Sequence, residues 1–178
     1  MISSAKQLTD DDIKEAAAYF SAQKPRRNVR INETDTVSRP VVASWTWIDP
    51  RSGVREPIGR RAVEVPEHLE EFELRDSHAT FIAYVPPGSL KRGEALVTGT
   101  LPAVVPACTS CHGAELKGMA LAPPIAGRSV SYALRQHYEI KSGVRTGANS
   151  AQMKPVLEKL EGDDLLAIVA YLASLPPN

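Results

Sequence analysis

A chain of 178 residues is long enough for one or two small domains, and its 21 Lys and Arg are balanced by 21 Asp and Glu. That neutrality gives no reason to expect nucleic acid or an anionic membrane as partner. No stretch approaches the roughly 20 apolar residues of a membrane-crossing helix, and the opening MISSAKQLTDDD lacks the apolar core and basic flank of a signal peptide.

The first 25 residues resemble the last 25. Adding 152 to a position aligns Met1 with Met153, Leu8 with Leu160, Asp11-Asp12 with Asp163-Asp164, Ala18-Tyr19 with Ala170-Tyr171, and Pro25 with Pro177, without a gap. Each copy reads as an acidic helix start followed by an amphipathic run. In the first, Thr9-x-x-Asp12 has the form of a capping box, with Ile13, Ala16, Ala17 and Phe20 on one face. Residues 26–88 differ in character and read as an irregular connector with a small β-hairpin. Val41–Ile48 is β-branched and aromatic, Asp49–Gly53 supplies turn chemistry, and Ala62–Val65 and Thr80–Val85 are further short strands. Trp45 and Trp47 have no role that the sequence reveals, and His68 and His78 read as solvated connector residues.

From residue 89 the pattern is helical: Ser89 as N-cap of a helix to about Thr98, a second helix over Ser129–Lys141 ended near Gly143, and a third over Asp163–Ser174. In this last helix Leu165, Ile168, Val169, Leu172 and Leu175 form the apolar stripe, and Pro176-Pro177 stops it. Residues 89–178 contain no Phe or Trp. A segment of about 90 residues is small for a self-sufficient core, so its centre calls for a filler that the side chains do not supply.

The only two cysteines stand in Cys108-Thr109-Ser110-Cys111-His112, which leaves none for a structural disulfide. In a C-x-x-C-H segment two thiols can add across the two vinyl groups of haem while the adjacent histidine turns toward the iron. A redox dithiol would need a thioredoxin-like βαβ context, and zinc would need two further ligands. A sixth ligand to iron is commonly a methionine from further along the chain. Met153 lies 41 residues beyond His112, whereas Met119 lies only seven beyond it in a Gly/Pro-rich loop and reads as a packing or surface residue. His137, inside the second helix, is the rival sixth ligand.

Residues 89–178 resemble a class I c-type cytochrome domain, similar to those of bacterial dihaem cytochromes. The matching segments are CTSCHG (108–113), APPIAGRS (122–129), Tyr132, Gly143-x-Arg145, Met153-Lys154-Pro155 and AYLASLPP (170–177). The resemblance implies an all-α fold around one covalent haem c, with His112 and Met153 on the iron. It also implies a carbonyl of Pro124 accepting the proximal imidazole N–H, and a contact between first and last helices at Gly93 and Tyr171. Arg128 and Arg145 could pair with the haem propionates or be surface charges. The run TLPAVV (100–105), between Gly93 and Cys108, departs from the family pattern.

By the same resemblance, residues 1–25 look like the last helix of a preceding cytochrome domain, although Met1-Ile2-Ser3 departs from the family's Met-x-Pro. The expected function is periplasmic single-electron transfer with redox partner proteins and no enzymatic step. The alternatives are a cytochrome subunit of a larger dehydrogenase or oxidase, and a haem enzyme or gas sensor with an open sixth position. A preceding cytochrome domain or a second chain is the expected partner of residues 1–25.

Overall fold

The computed structural model describes residues 2–43, 46–50, 52–101 and 105–177; Trp45, singled out above, lies outside them. The N-terminal segment forms α1 (Ile2–Ala5) and α2 (Asp10–Ala22). The capping box forms as read: the Thr9 N–H donates to the Asp12 carboxylate at 2.8 Å, and the Asp12 N–H donates to Thr9 Oγ1 at 3.2 Å. Yet α2 buries nothing. Ile13 and Phe20 are exposed along with Leu8 and Tyr19, so its apolar residues have no covering layer.

The connector contains more β-structure than a small hairpin. It comprises β1 (Val29–Glu33), β2 (Thr36–Ser38), β3 (Val41–Ala43), β4 (Thr46–Ile48), β5 (Arg55–Pro57), β6 (Val63–Pro66), α3 (Leu69–Glu73) and β7 (Phe81–Val85). Strands β1, β7 and β6 form a three-stranded sheet in that order, with β1 parallel and β6 antiparallel to β7. The stretch 41–48 contains two strands, β3 and β4, paired antiparallel with Val41 opposite Ile48 and Val42 opposite Trp47. It is a hairpin by itself and not one strand, and Val42 and Trp47 remain exposed. A second ribbon pairs β2 with β5 and places Val37 in a small cluster with Ile58, Val63 and Val65.

The helical half comprises α4 (Ser89–Thr98), α5 (Thr109–His112), α6 (Val130–Lys141), a 3₁₀ turn (Ala148–Gln152), α7 (Lys154–Glu158) and α8 (Gly162–Ser174). Displaced by 152 positions, α2 coincides with α8 in both bounds. The two copies therefore share a helix but not its surroundings. Helix α8 crosses α4 at Gly93, where a Cβ would stand 2.0 Å from the Ala167 carbonyl oxygen and 2.7 Å from Tyr171 Cβ. Only a residue without a side chain admits that approach. On one side of α8, Leu165, Ile168 and Leu172 join Leu96, Val97, Leu157 and Leu160 in the main core. On the other, Val169 and Ala173 meet Val29 and Ala83 of the sheet, and Leu166 and Ala170 meet Val85. A helix apolar all round is a buried one, and α8 lies between the helical core and the sheet.

Two connector carboxylates complete helix starts in the helical half. Ser89 is not the N-cap of α4, because its hydroxyl donates back to the Pro86 carbonyl at 2.6 Å. The cap is Gly88, at φ +82, which has no side chain to offer. Glu33 on β1 takes that role by accepting the Leu90 N–H at 2.8 Å. Glu64 on β6 accepts the Ser131 N–H at 3.3 Å and the hydroxyls of Ser129 and Ser131 at 2.7 and 2.8 Å. Negative charge at a helix N-terminus meets unpaired N–H groups and the positive end of the helix dipole. Arg60 pairs with Asp163 at 2.7 Å and Arg92 pairs with Asp164, which fastens the start of α8 from both sides.

Candidate haem-binding site

The sequence motif folds as one short turn. At its start the Cys108 N–H donates to the Val97 carbonyl in the last turn of α4 (3.0 Å), and the Cys108 carbonyl accepts the His112 N–H (3.0 Å). Residues three apart share one side of a helical turn, so both thiols face the same way. Cys111 is exposed. Cys108 is half-buried against the main core, and burial pushes its thiol pKa up. His112 is 8% exposed, one of the few polar residues in the interior.

The loop after His112 explains its ring orientation. Gly113 ends the turn at φ +82, and Leu116, at φ +58, drops into the main core. The Leu116 carbonyl accepts the Ile125 N–H at 2.9 Å, while Met119 and Ala122 exchange hydrogen bonds of 3.1 and 3.0 Å. A Cβ on Gly118 would stand 2.9 Å from the Ala122 carbonyl oxygen, so the loop closes this tightly only with glycine there. This closure brings the Pro123 carbonyl to 2.8 Å from His112 Nδ1. The acceptor is therefore Pro123 and not Pro124, because the loop's own hydrogen bonds set the register one residue earlier than counting from the histidine suggests. A carbonyl oxygen only accepts, so Nδ1 carries the proton and Nε2 keeps its lone pair.

Met153 sits between the 3₁₀ turn and α7, where it is partly buried against the same cluster as Cys108, Ile125, Leu134 and Ile140. Met119 is exposed, in keeping with its reading as a surface residue. His137 lies on the inward stripe of α6 between Leu134 and Ile140, and its Nδ1 is buried without a hydrogen-bond partner. Burial, with His112 nearby as a lesser cause, lowers its pKa to about 4. Tyr132, Arg128 and Arg145 are not gathered into this cluster and stand exposed. The Tyr132 ring lies 5.9 Å from the Arg135 guanidinium. His68 and His78 are exposed, His78 with its ring 3.0 Å from Asp76. Pro123, Leu116 and Gly118 were not singled out from sequence; the glycine of Lys117-Gly118-Met119 was the one local sign of a tight closure.

This donor set fits a covalently attached haem. It offers two thiols on one turn, an imidazole held by its far nitrogen so that Nε2 is free, and a thioether on the same apolar wall. Zinc finds no comparable site, since the described residues contain no group of three His, Cys, Asp or Glu able to hold a metal ion.

Residues 90–176 match the family model of cytochrome c. Cytochrome c4 of Stutzerimonas stutzeri is 31% identical over 136 residues, which cover 69% of this chain and 65% of that protein. Cytochrome c-554(548) of Halomonas halodenitrificans is 34% identical over 68 residues, covering 38% of this chain and 82% of its own length. Among solved structures, thiosulfate dehydrogenase from Marichromatium purpuratum matches 97% of this chain and 26% of its own with a TM-score of 0.58 and 27% identity. The chain thus spans less than two thirds of the cytochrome c4 it matches. With the motif on its turn, the imidazole held through Nδ1 and these relatives together, the chain belongs to the cytochrome c family of electron-transfer haem proteins, whose domain it carries at residues 90–176.

Proposed function

We propose that this chain is a periplasmic one-electron carrier with a single haem c, joined by thioethers at Cys108 and Cys111 and ligated by His112 and Met153. The observation that carries this reading is the 2.8 Å hydrogen bond from His112 Nδ1 to the Pro123 carbonyl. It fixes the tautomer and the ring plane and makes Nε2 the better donor. The haem supplies one chemical property, an iron that gains or loses a single electron.

The residues do the rest. His112 and Met153 would hold the iron, leaving no position on it for a substrate and the same ligands before and after transfer. A thioether ligand raises the reduction potential relative to stronger donors. The apolar wall of Leu96, Leu116, Leu157 and Leu172 does likewise by disfavouring the more positive oxidised centre. Cys111, exposed at the edge of the turn, marks the side on which electrons enter and leave. Arg128 and Arg145 remain candidate partners of the propionates, with Tyr132 as a further candidate haem contact.

The test is a haemochrome assay with an iron-to-protein ratio, together with the absorption spectrum of the oxidised form. One haem per chain, with a low-spin methionine-ligated spectrum, is expected. A folded, colourless protein in which both thiols react with alkylating agents would overturn the reading. Carbon monoxide binding to the native reduced protein would argue for an open site, as a haem enzyme or gas sensor requires.

A second reading makes the chain the cytochrome part of a larger dehydrogenase or oxidase. It is supported by the similarity to thiosulfate dehydrogenase across 97% of this chain. Co-purification with a catalytic subunit distinguishes it from a free shuttle. In both readings residues 1–25 are the closing helix of a preceding cytochrome domain. Helix α2 repeats α8 in sequence and bounds, yet its apolar residues are exposed where those of α8 are covered. A second chain is the other occupant of that face. A monomer in solution with residues 8–22 protected from hydrogen exchange would count against a missing partner.

A further inference from the structure

Among the described residues one buried side-chain polar atom, in the helical half, has no hydrogen-bond partner. Every other turn of the inward stripe of α6 is apolar: Val130 is fully buried, and Leu134 and Ile140 pack on the main core. On the same stripe stands His137, half-buried as a residue, with an Nδ1 that is enclosed and has no partner among the described residues. A leucine would fill that place with no unsatisfied atom, and leaving a buried polar atom unpaired is costly. Three features separate this histidine from an ordinary core residue. Its stripe neighbours Leu134 and Ile140 pack on the same cluster as Cys108 and Met153. His112 lies near enough that a charge on one ring would disfavour protonation of the other. On the reading above, Cys108, His112 and Met153 beside it would also hold an iron cofactor.

Resting on that reading, we propose that His137 is a haem-tuning residue, an imidazole seated in the haem pocket that is not an iron ligand and whose dipole sets the reduction potential of the iron held by His112. The argument against ligation lies in the contrast with His112. A ligating imidazole ordinarily donates its far N–H to a fixed acceptor, as His112 does to Pro123, and His137 has none. The argument for tuning is electrostatic. Burial keeps the ring uncharged at neutral pH, so it acts through its dipole and hydrogen-bonding capacity. In a dry site, a lone pair turned toward the haem stabilises the oxidised centre, which carries one more positive charge. Replacing the ring with an alkyl side chain removes that stabilisation and raises the potential.

The test uses the haem-loaded full chain and the variants His137→Leu and His137→Gln. Haem content is measured first. A wild-type protein without haem ends the parent reading, whereas normal haem content in all three proteins isolates the present one. The expected result is an unchanged low-spin spectrum in all three, a higher midpoint potential in His137→Leu, and return of most of that shift in His137→Gln. Equal potentials in wild type and His137→Leu would reduce His137 to a core residue and overturn the proposal. So would loss of the low-spin spectrum in His137→Leu, because the ring would then be a ligand. Should His137→Leu fail to fold, the wild type alone decides. Ring resonances of His137 that shift between the reduced and oxidised protein support seating against the haem, and unshifted resonances refute it.

Discussion

Replacing Gly93 with alanine sets two effects of opposite sign against each other. Gly93 lies inside α4, where exchange for alanine should stabilise an isolated helix by about 1 kcal/mol. Against that, the new Cβ would stand 2.0 Å from the Ala167 carbonyl oxygen and 2.7 Å from Tyr171 Cβ. Non-bonded carbon contacts settle at about 3.5 Å, so α4 and α8 must part by more than an ångström. Both partners are backbone or backbone-proximal atoms in regular helices, and neither can swing aside. The separation loosens Leu96 and Val97 from Leu165, Ile168 and Leu172. Overpacking typically costs ~1–3 kcal/mol, and an immovable contact belongs at the upper end, which leaves a net loss of about 2 kcal/mol. For a domain of this size that corresponds to a fall in Tm of roughly 4–8 °C. Denaturant unfolding of the haem-loaded protein, followed by far-ultraviolet circular dichroism, should show a lower midpoint with an unchanged slope. A Gly93→Ala protein as stable as wild type, or more stable, would mean that helix propensity outweighs the crossing contact and that the close approach is not what holds α8.

Glu64→Ala should cost about 1–2 kcal/mol by stripping the start of α6 of its acceptor for Ser129 and Ser131, with Glu64→Gln losing less. Thermal melts of the three proteins check this. His137 is held near pKa 4 in the folded state against an ordinary 6.5, so below pH 6.5 the unfolded chain binds the extra proton. Stability is complete above that pH and falls by up to about 3 kcal/mol as pH drops toward 4; a His137→Leu protein should show a flatter profile over the same window. Glu56 accepts hydrogen bonds from Arg61 and Arg39, which lower its pKa from 4.5. Its contribution is therefore present above pH 4.5 and lost as pH falls through the lowered value, and acid titration of Glu56→Gln should lack that component. Met153→Ala should lower the reduction potential or open the iron to carbon monoxide; a spectrum and potential matching wild type would remove Met153 from the ligand set.

The parts legible in the sequence were those that depend on neighbouring residues. Cys108, Cys111 and His112 lie within five residues, α6 runs from its cap Ser129 to Lys141 where a helix over Ser129–Lys141 was read, Thr9 and Asp12 form their box, and the 25-residue repeat appears as two helices of matching bounds. What escaped depends on partners far away in sequence. VRINE at 29–33 has no convincing alternation, and it becomes a strand because β7, some fifty residues later, lies parallel to it. A single stripe on α8 missed Leu166, Ala170 and Ala173, although the unbroken run LLAIVAYLA carried the sign of a helix covered on both sides. The Pro123 acceptor could not be counted out from the histidine, since the Met119–Ala122 pairing sets the register. Gly88 replaced Ser89 as cap because Glu33, on a strand the sequence did not show, supplies the missing acceptor.

The position of α8 also bears on the order of events during synthesis. Its 13 residues are made after α4, α6 and the sheet, yet they close against all three. Until they emerge, β1 and β7 are covered only in part, by Val130 and Leu134 of α6, and Leu96 and Val97 lack their partners on α8. A nascent chain therefore keeps the core side of the Cys108–His112 turn uncovered until α8 emerges. That interval favours chemistry at the half-buried Cys108 thiol, which the finished fold makes harder to ionise.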